Sequence, residues 1–179
     1  MVASLGHAHS SLAKAIYSAS KRYSYINARQ FSHHPIEDFA QKACQYAPSG
    51  IEKVLLLSSG SEAVEAAFKL SLQFHQCRGE LSKRKFIAFS PSYHGNTLGA
   101  LNLSGRKSYR SPYKDFLKNV SFCNQFLESD CSSRKEADDL TLKEFEKQIQ
   151  KIKAENIAAL IIEPIPAAST AVEAVSYTQ

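Results

Sequence analysis

Four short apolar runs, separated by stretches of helical spacing, constrain the fold of this chain most strongly. They are Val54-Leu55-Leu56-Leu57, Lys85-Phe86-Ile87-Ala88-Phe89, the weaker Val120-Ser121-Phe122, and Ile157-Ala158-Ala159-Leu160-Ile161-Ile162. Their hydrophobicity is continuous rather than alternating, and turn signals bound them, which predicts strands buried on both faces. Between the first two, Gly60 to Gln76 places Ala63, Ala66, Ala67, Leu70 and Phe74 at helical intervals. Between the last two, Leu142 to Ala154 does the same with Phe145, Ile149 and Ile152, and the polar stretch from Glu128 to Asp139 reads as a solvated surface loop. Strands alternating with helices predict an α/β fold with a mainly parallel sheet.

Upstream of the runs, Ser10 to about Tyr23 predicts a helix with Leu12, Ala15, Ile16 and Ala19 on one face. Pro35 can open a second helix, striped by Ile36, Phe39, Ala40 and Ala43, and Pro48-Ser49-Gly50 ends it as a turn. The expected division is therefore a helical N-terminal segment over 1–50 and the sheet-bearing domain over 51–179.

Composition narrows the function. At 179 residues with 44% hydrophobic and 22% charged, the chain can form a sizeable core. The net charge of +5 comes from basic residues interleaved with acids. No basic-aromatic stripe appears, which argues against nucleic acid as a partner. No run of about 18 apolar residues exists, so no membrane span is expected. The opening MVASLGHAHSSLAKAI lacks a secretory apolar core and is not rich in arginine. A cytoplasmic location is expected, with the mitochondrion the alternative if a presequence lies upstream. Cys44, Cys77, Cys123 and Cys131 show no CxxC spacing and read as reduced thiols. The His7/His9 and His33-His34 pairs lack neighbouring ligands at metal spacing, so no metal is expected.

Three segments carry chemistry. Ser58-Ser59-Gly60-Ser61-Glu62 stands at a helix start with capping-box spacing between Ser59 and Glu62. The first-turn N–H groups of Gly60 and Ser61 lack intrahelical partners and carry the positive end of the helix dipole. Gly60 leaves room for a ligand, and a phosphate dianion suits such a place. A capped helix that binds nothing is the commoner outcome, and the wording is neither a Walker loop nor GxGxxG. The second segment, Ser92-Tyr93-His94-Gly95-Asn96, follows a strand, where ligands of parallel sheets bind. Tyr93 can stack on a flat heterocycle; the alternative is a packed, hydrogen-bonded corner. The third, Glu163-Pro164, sets a carboxylate at the same sheet edge, either as a site residue or as a helix cap or surface acid.

Together, LLLSSGSEAVEAAFKL, FIAFSPSYHGNTLGALNLSG and AALIIEP resemble, in order and spacing, the class III aminotransferases of fold type I. The resemblance runs from Gly6-His7-Ala8-His9 to at least Pro164. The GHAHSSLAKAI opening is similar to the family's G-H-x-H-P segment, with Ser10 where proline is usual. The resemblance implies pyridoxal 5'-phosphate as cofactor and a PLP-transferase-like large domain, here incomplete. It places Ser59, Gly60 and Ser61 on the cofactor phosphate, Tyr93 on the pyridine ring with His94 beside it, and Glu163 near the substrate side. It implies transfer of an amino group from an amino compound to a 2-oxo acid, in a homodimer of the complete protein.

The family pattern also requires an aspartate for the pyridine nitrogen after the Glu-Pro strand, and then a Schiff-base lysine. Neither is expected before Gln179, and PAASTAVEAVSYTQ departs from the glycine-rich loop usual there. Lys69, Lys107 and Lys114 lack the lysine's context. The expectation is therefore that no residue of this chain is the catalytic lysine and that the chain alone is inactive. Val54–Leu57, whose neighbours in the family's sheet come late in the sequence, is expected to stand apart from the other three strands. Two other readings stay open: a non-catalytic truncated product, and an unrelated α/β phosphate-binding protein. The amino donor is not legible; ornithine, 4-aminobutyrate, acetylornithine and diaminononanoate types all occur in the family.

Overall fold

The computed structural model describes residues 3–27 and 30–164. It separates into two compact units, Met1–Leu55 and Leu56–Gln179. The tail PAASTAVEAVSYTQ lies outside the described residues.

The first unit carries α1 (Ser10–Ser20) and α2 (His34–Tyr46). Pro35 sits in the first turn of α2, where its missing N–H costs nothing. α1 ends short of the expected Tyr23, because Arg22 and Tyr23 donate back to the Ala19 carbonyl in a closing turn. The Tyr23 ring stacks on His33, with centroids 5.2 Å apart. Leu12, Ile16 and Phe39 remain mostly exposed, so neither helix buries its apolar stripe within this unit.

The second unit is built on a three-stranded parallel sheet in the order β2-β1-β3. The strands are β1 (Lys85–Ser90), β2 (Val120–Asn124) and β3 (Ile157–Ile161). β1 is central, and Phe86 to Phe89 are all buried, as a continuous apolar run should be when both faces are covered. Successive side chains point to opposite faces. Phe86 meets Phe68 of α3 (Gly60–Cys77), with ring centroids 4.5 Å apart. Ile87 and Phe89 face the other way, onto Cys123 and onto Phe145, Ile149 and Ile152 of α6 (Arg134–Ile152). The short helix α4 (Leu98–Leu103) buries Ala100, Leu101 and Leu103, and the one-turn α5 (Lys107–Arg110) follows it. No helix among the described residues is long and apolar enough to cross a membrane.

Three expectations need correction. Val54–Leu57 forms no strand. A strand needs a hydrogen-bonded neighbour, and the three other runs pair among themselves, leaving Leu55 64% and Leu57 44% exposed. The stretch from Glu128 to Asp139 is not loop throughout, because α6 begins at Arg134. Ser133 caps it by accepting the Glu136 N–H at 3.2 Å, while the Glu136 carboxylate accepts the Ser132 N–H at 2.8 Å. This is a variant of the capping box inside a polar stretch, with Glu136 reaching back to the residue before the cap. The face that α3 turns to the sheet carries Phe68, Leu72 and His75, whereas Leu70 and Phe74 of the expected stripe are 52% and 57% exposed.

Candidate functional site

The helix start forms as its sequence dictates. Ser59 is the N-cap of α3, and its hydroxyl oxygen accepts the Glu62 N–H at 3.2 Å. Gly60 opens the helix, and a side chain built on it would meet nothing within 4 Å. Among the described residues nothing crowds the Cα of Gly60.

The strand exit lies against this turn. β1 leaves the sheet through a cis Ser90–Pro91 bond. The Asn96 N–H donates to Ser61 Oγ at 3.0 Å. Gly95 lies so close that an added Cβ would stand 2.7 Å from Ser61 Oγ, and its φ of +135° excludes most side chains in any case. Beyond it, Glu65 Oε2 accepts from the Thr97 hydroxyl at 2.6 Å and from the Ala100 N–H at 3.1 Å. The excursion is closed at its base. Gly105 N–H donates to Ser92 Oγ at 2.8 Å and to the Ser92 carbonyl at 3.1 Å, and the Ser90 hydroxyl donates to the Gly105 carbonyl at 3.0 Å.

Tyr93 and His94 stand in this excursion with opposite exposures. Tyr93 is 37% exposed, and its ring meets Tyr109 edge-on at 6.2 Å. With Asn96 and Arg106 these two tyrosines line an open pocket of about 350 Å³. His94 is 9% exposed; its backbone N–H donates to Ser104 Oγ at 2.9 Å, and among the described residues its ring Nε2 has no hydrogen-bond partner. Burial holds the His94 imidazole below its usual range, and the Glu163 carboxylate opposes this in part. Glu163 Oε2 accepts the Tyr93 N–H at 2.8 Å, which ties the exit of β3 to that of β1. Among the described residues no group of His, Cys, Asp or Glu could hold a metal ion.

The structure thus joins the three segments singled out in the sequence: the start of α3, Tyr93-His94 and Glu163. Glu65, Thr97, Arg106 and Tyr109 were not foreseen. Glu65 could have been noticed as a carboxylate one helical turn after Ser61 within an alanine-rich stretch. Another cavity, of about 250 Å³, lies beside Lys83, Arg84 and Asn119 at the far end of β1, and none of the anticipated residues lines it.

The sequence profile described as aminotransferase class-III matches residues 1–177. An uncharacterized aminotransferase of Schizosaccharomyces pombe is 33% identical over 174 residues, covering 94% of this chain and 38% of its own length. Adenosylmethionine-8-amino-7-oxononanoate aminotransferase of Synechococcus elongatus is 30% identical over 163 residues, covering 89% of this chain and 37% of its own. An amine transaminase from an uncultivated Pseudomonas species, solved in its PLP-bound form, superposes with a TM-score of 0.87 at 26% identity, over 95% of this chain and 40% of that one. The chain spans well under half the length of these relatives. Class-III aminotransferases depend on pyridoxal phosphate, and an unrelated phosphate-binding α/β protein is set aside. A family profile that matches this chain almost from end to end, with relatives and a solved structure agreeing, shows that the chain belongs to the class-III aminotransferase family.

Proposed function

We propose that this chain supplies the phosphate-holding and ring-stacking part of a pyridoxal 5'-phosphate site, in a protein that moves an amino group from an amino compound to a 2-oxo acid. The observation that carries this reading is the 3.0 Å bond from Asn96 N–H to Ser61 Oγ, because it joins the helix start to the loop bearing Tyr93. The residues fit a flat heterocycle with a phosphate arm. Among the described residues nothing crowds Gly60, the Tyr93 ring is accessible, and the buried His94 Nε2 lacks a partner.

When bound, the cofactor supplies an electron-accepting ring for chemistry at the substrate's amino carbon. The chain's residues hold and orient it. The N–H groups of Gly60 and Ser61, with the Ser59 hydroxyl, receive the phosphate at the positive end of α3. Tyr93 stacks on the ring. His94, held neutral by burial, offers one hydrogen bond without added charge. Glu163 fixes the backbone of Tyr93.

Among the described residues, none that lines the pocket beside Tyr93 is a lysine. The reading is therefore that this chain binds the cofactor without turning over substrate, and that the lysine which bonds the cofactor lies elsewhere in the whole protein. A homodimer is the family's implication for that protein.

The test is an amide NMR titration of the chain with pyridoxine 5'-phosphate, which carries ring and phosphate but no reactive aldehyde. Signals of Gly60, Ser61 and Tyr93 should move together, and inorganic phosphate should compete. Movement confined to other residues, or none, refutes the reading. Amino-group transfer by the chain supplied with pyridoxal phosphate, an amine and pyruvate would refute its inactive part.

A further inference from the structure

Glu65 is placed to govern the distance between the two halves of this site. It lies one turn after Ser61 on α3, on the side that meets α4. Thr97 is the N-cap residue of α4, yet its hydroxyl makes no cap bond to its own helix. Glu65 takes that place from outside. Its Oε2 accepts the Thr97 hydroxyl at 2.6 Å and the N–H of Ala100, in the first turn of α4, at 3.1 Å. A carboxylate is the favoured partner for such orphan N–H groups. Gly99 completes the fit, since a Cβ there would stand 2.5 Å from both Glu65 carboxylate oxygens.

Two contacts of α3 therefore grip one short segment. Ser61 holds Asn96, and Glu65 holds Thr97 and Ala100. The N–H groups of Gly60 and Ser61 sit at the start of the same α3 turn, and Tyr93 lies three residues before the gripped segment. A ligand that spans both places gains from their fixed separation, because its second contact becomes intramolecular once the first is made. A ligand that touches only one place gains nothing from it. The negative charge so near a phosphate is also accounted for: it is directed to the start of α4.

We propose that Glu65 is a positioning residue that sets the spacing between the phosphate-holding start of α3 and the Tyr93 ring. The proposal rests on the cofactor-site reading above.

The experiment compares the parent chain with Glu65→Ala, Glu65→Gln and Thr97→Val. It measures dissociation constants for pyridoxine 5'-phosphate and for inorganic phosphate, and hydrogen exchange over residues 93–101. In Glu65→Ala, pyridoxine 5'-phosphate should bind about tenfold more weakly, and inorganic phosphate should change by less than about twofold. Exchange over 93–101 should quicken. Glu65→Gln should restore both readouts, because an amide oxygen can accept the same two bonds. Thr97→Val keeps the Glu65 side chain and loses the shorter bond; it should show the same selective loss at about threefold, and it decides the matter if Glu65→Ala does not fold. Equal losses for the two ligands, or unchanged exchange over 93–101, would overturn the proposal and leave the cofactor reading standing. A parent chain that does not bind pyridoxine 5'-phosphate defeats the cofactor reading, and this proposal with it.

Discussion

His75 Nε2 lies 2.8 Å from the carbonyl oxygen of Ala158, the residue that the β1–β3 register passes over at its bulge. The other ring nitrogen, Nδ1, lies 2.6 Å from Glu80 Oε2. Both nitrogens thus face acceptors, and the imidazole joins the end of α3 to the irregular point of an edge strand. His75→Ala should destabilise the fold by roughly 1–2 kcal/mol, because it leaves the Ala158 carbonyl without this donor. Urea denaturation of parent and variant measures the difference. The His75 hydrogen bond holds the Glu80 carboxyl below its ordinary range, and the Arg78 and Lys83 charges add to this against desolvation. A lowered carboxylate stabilises the fold above its unfolded pKa, and that contribution is lost as pH falls through the folded value. The acid side of the stability profile should therefore flatten in His75→Ala.

Gly60→Ala separates folding from binding. The new methyl meets no neighbour within 4 Å. Alanine is the better helix former, so stability should hold or rise by up to about 1 kcal/mol. The same methyl occupies the approach to the first-turn N–H groups, and affinity for pyridoxine 5'-phosphate should fall by at least about fivefold. Thermal melts and ligand titration check the two halves. A weaker fold with unchanged affinity would contradict both.

His94 makes a pH prediction of defined sign. Burial lowers its pKa in the folded chain. Below the ordinary histidine value of about 6.5, the unfolded chain takes up a proton that the folded chain still refuses. Stability should rise with pH up to about 6.5 and then level off. Replacing His94 with Asn should reduce that slope. Denaturation midpoints at about pH 5 and pH 7 for both proteins provide the measurement.

The cysteines should divide by reactivity. Cys123 is fully buried, and burial, with the Glu144 carboxylate adding, pushes its thiol up to about 12. Cys77 is exposed. Iodoacetamide at about pH 8 should label Cys77 and spare Cys123 until the fold is opened with denaturant, as peptide mass mapping can show.

Lys153 closes α6 with φ of +68° and ψ of +132°, a conformation that favours glycine. Lys153→Gly should stabilise the second unit by about 1 kcal/mol, read as a higher urea midpoint at unchanged slope.

The sheet was legible because burial on both faces writes itself as uninterrupted apolar residues, and Phe86 to Phe89 are the clearest case. Val54–Leu57 is as continuously apolar and forms no strand, since hydrogen bonding to a neighbour is not encoded in a run itself. The start of α6 was missed for a different reason. Ser133 and Glu136 form their cap among polar residues, where no apolar stripe marks a helix. In the site, Ser59, Gly60, Tyr93 and Glu163 could be named because each stands at a strand end or a helix start. Glu65 could be noticed only as a carboxylate one turn after Ser61; its role could not be read, because that role depends on where α4 lies, and α4 meets it across more than thirty residues of chain.

The ring-bearing excursion has a further consequence for protein engineering. Its two ends are stapled to one another, Gly105 to Ser92 and Ser90 to Gly105. A stretch anchored in this way can be transplanted as a unit between relatives, with its ends landing on the same three residues. A graft that keeps Ser90, Ser92 and Gly105, and keeps Gly95, Thr97 and Gly99 where the excursion touches α3, can vary the Asn96 side chain to reshape the pocket mouth while the sheet beneath stays unchanged.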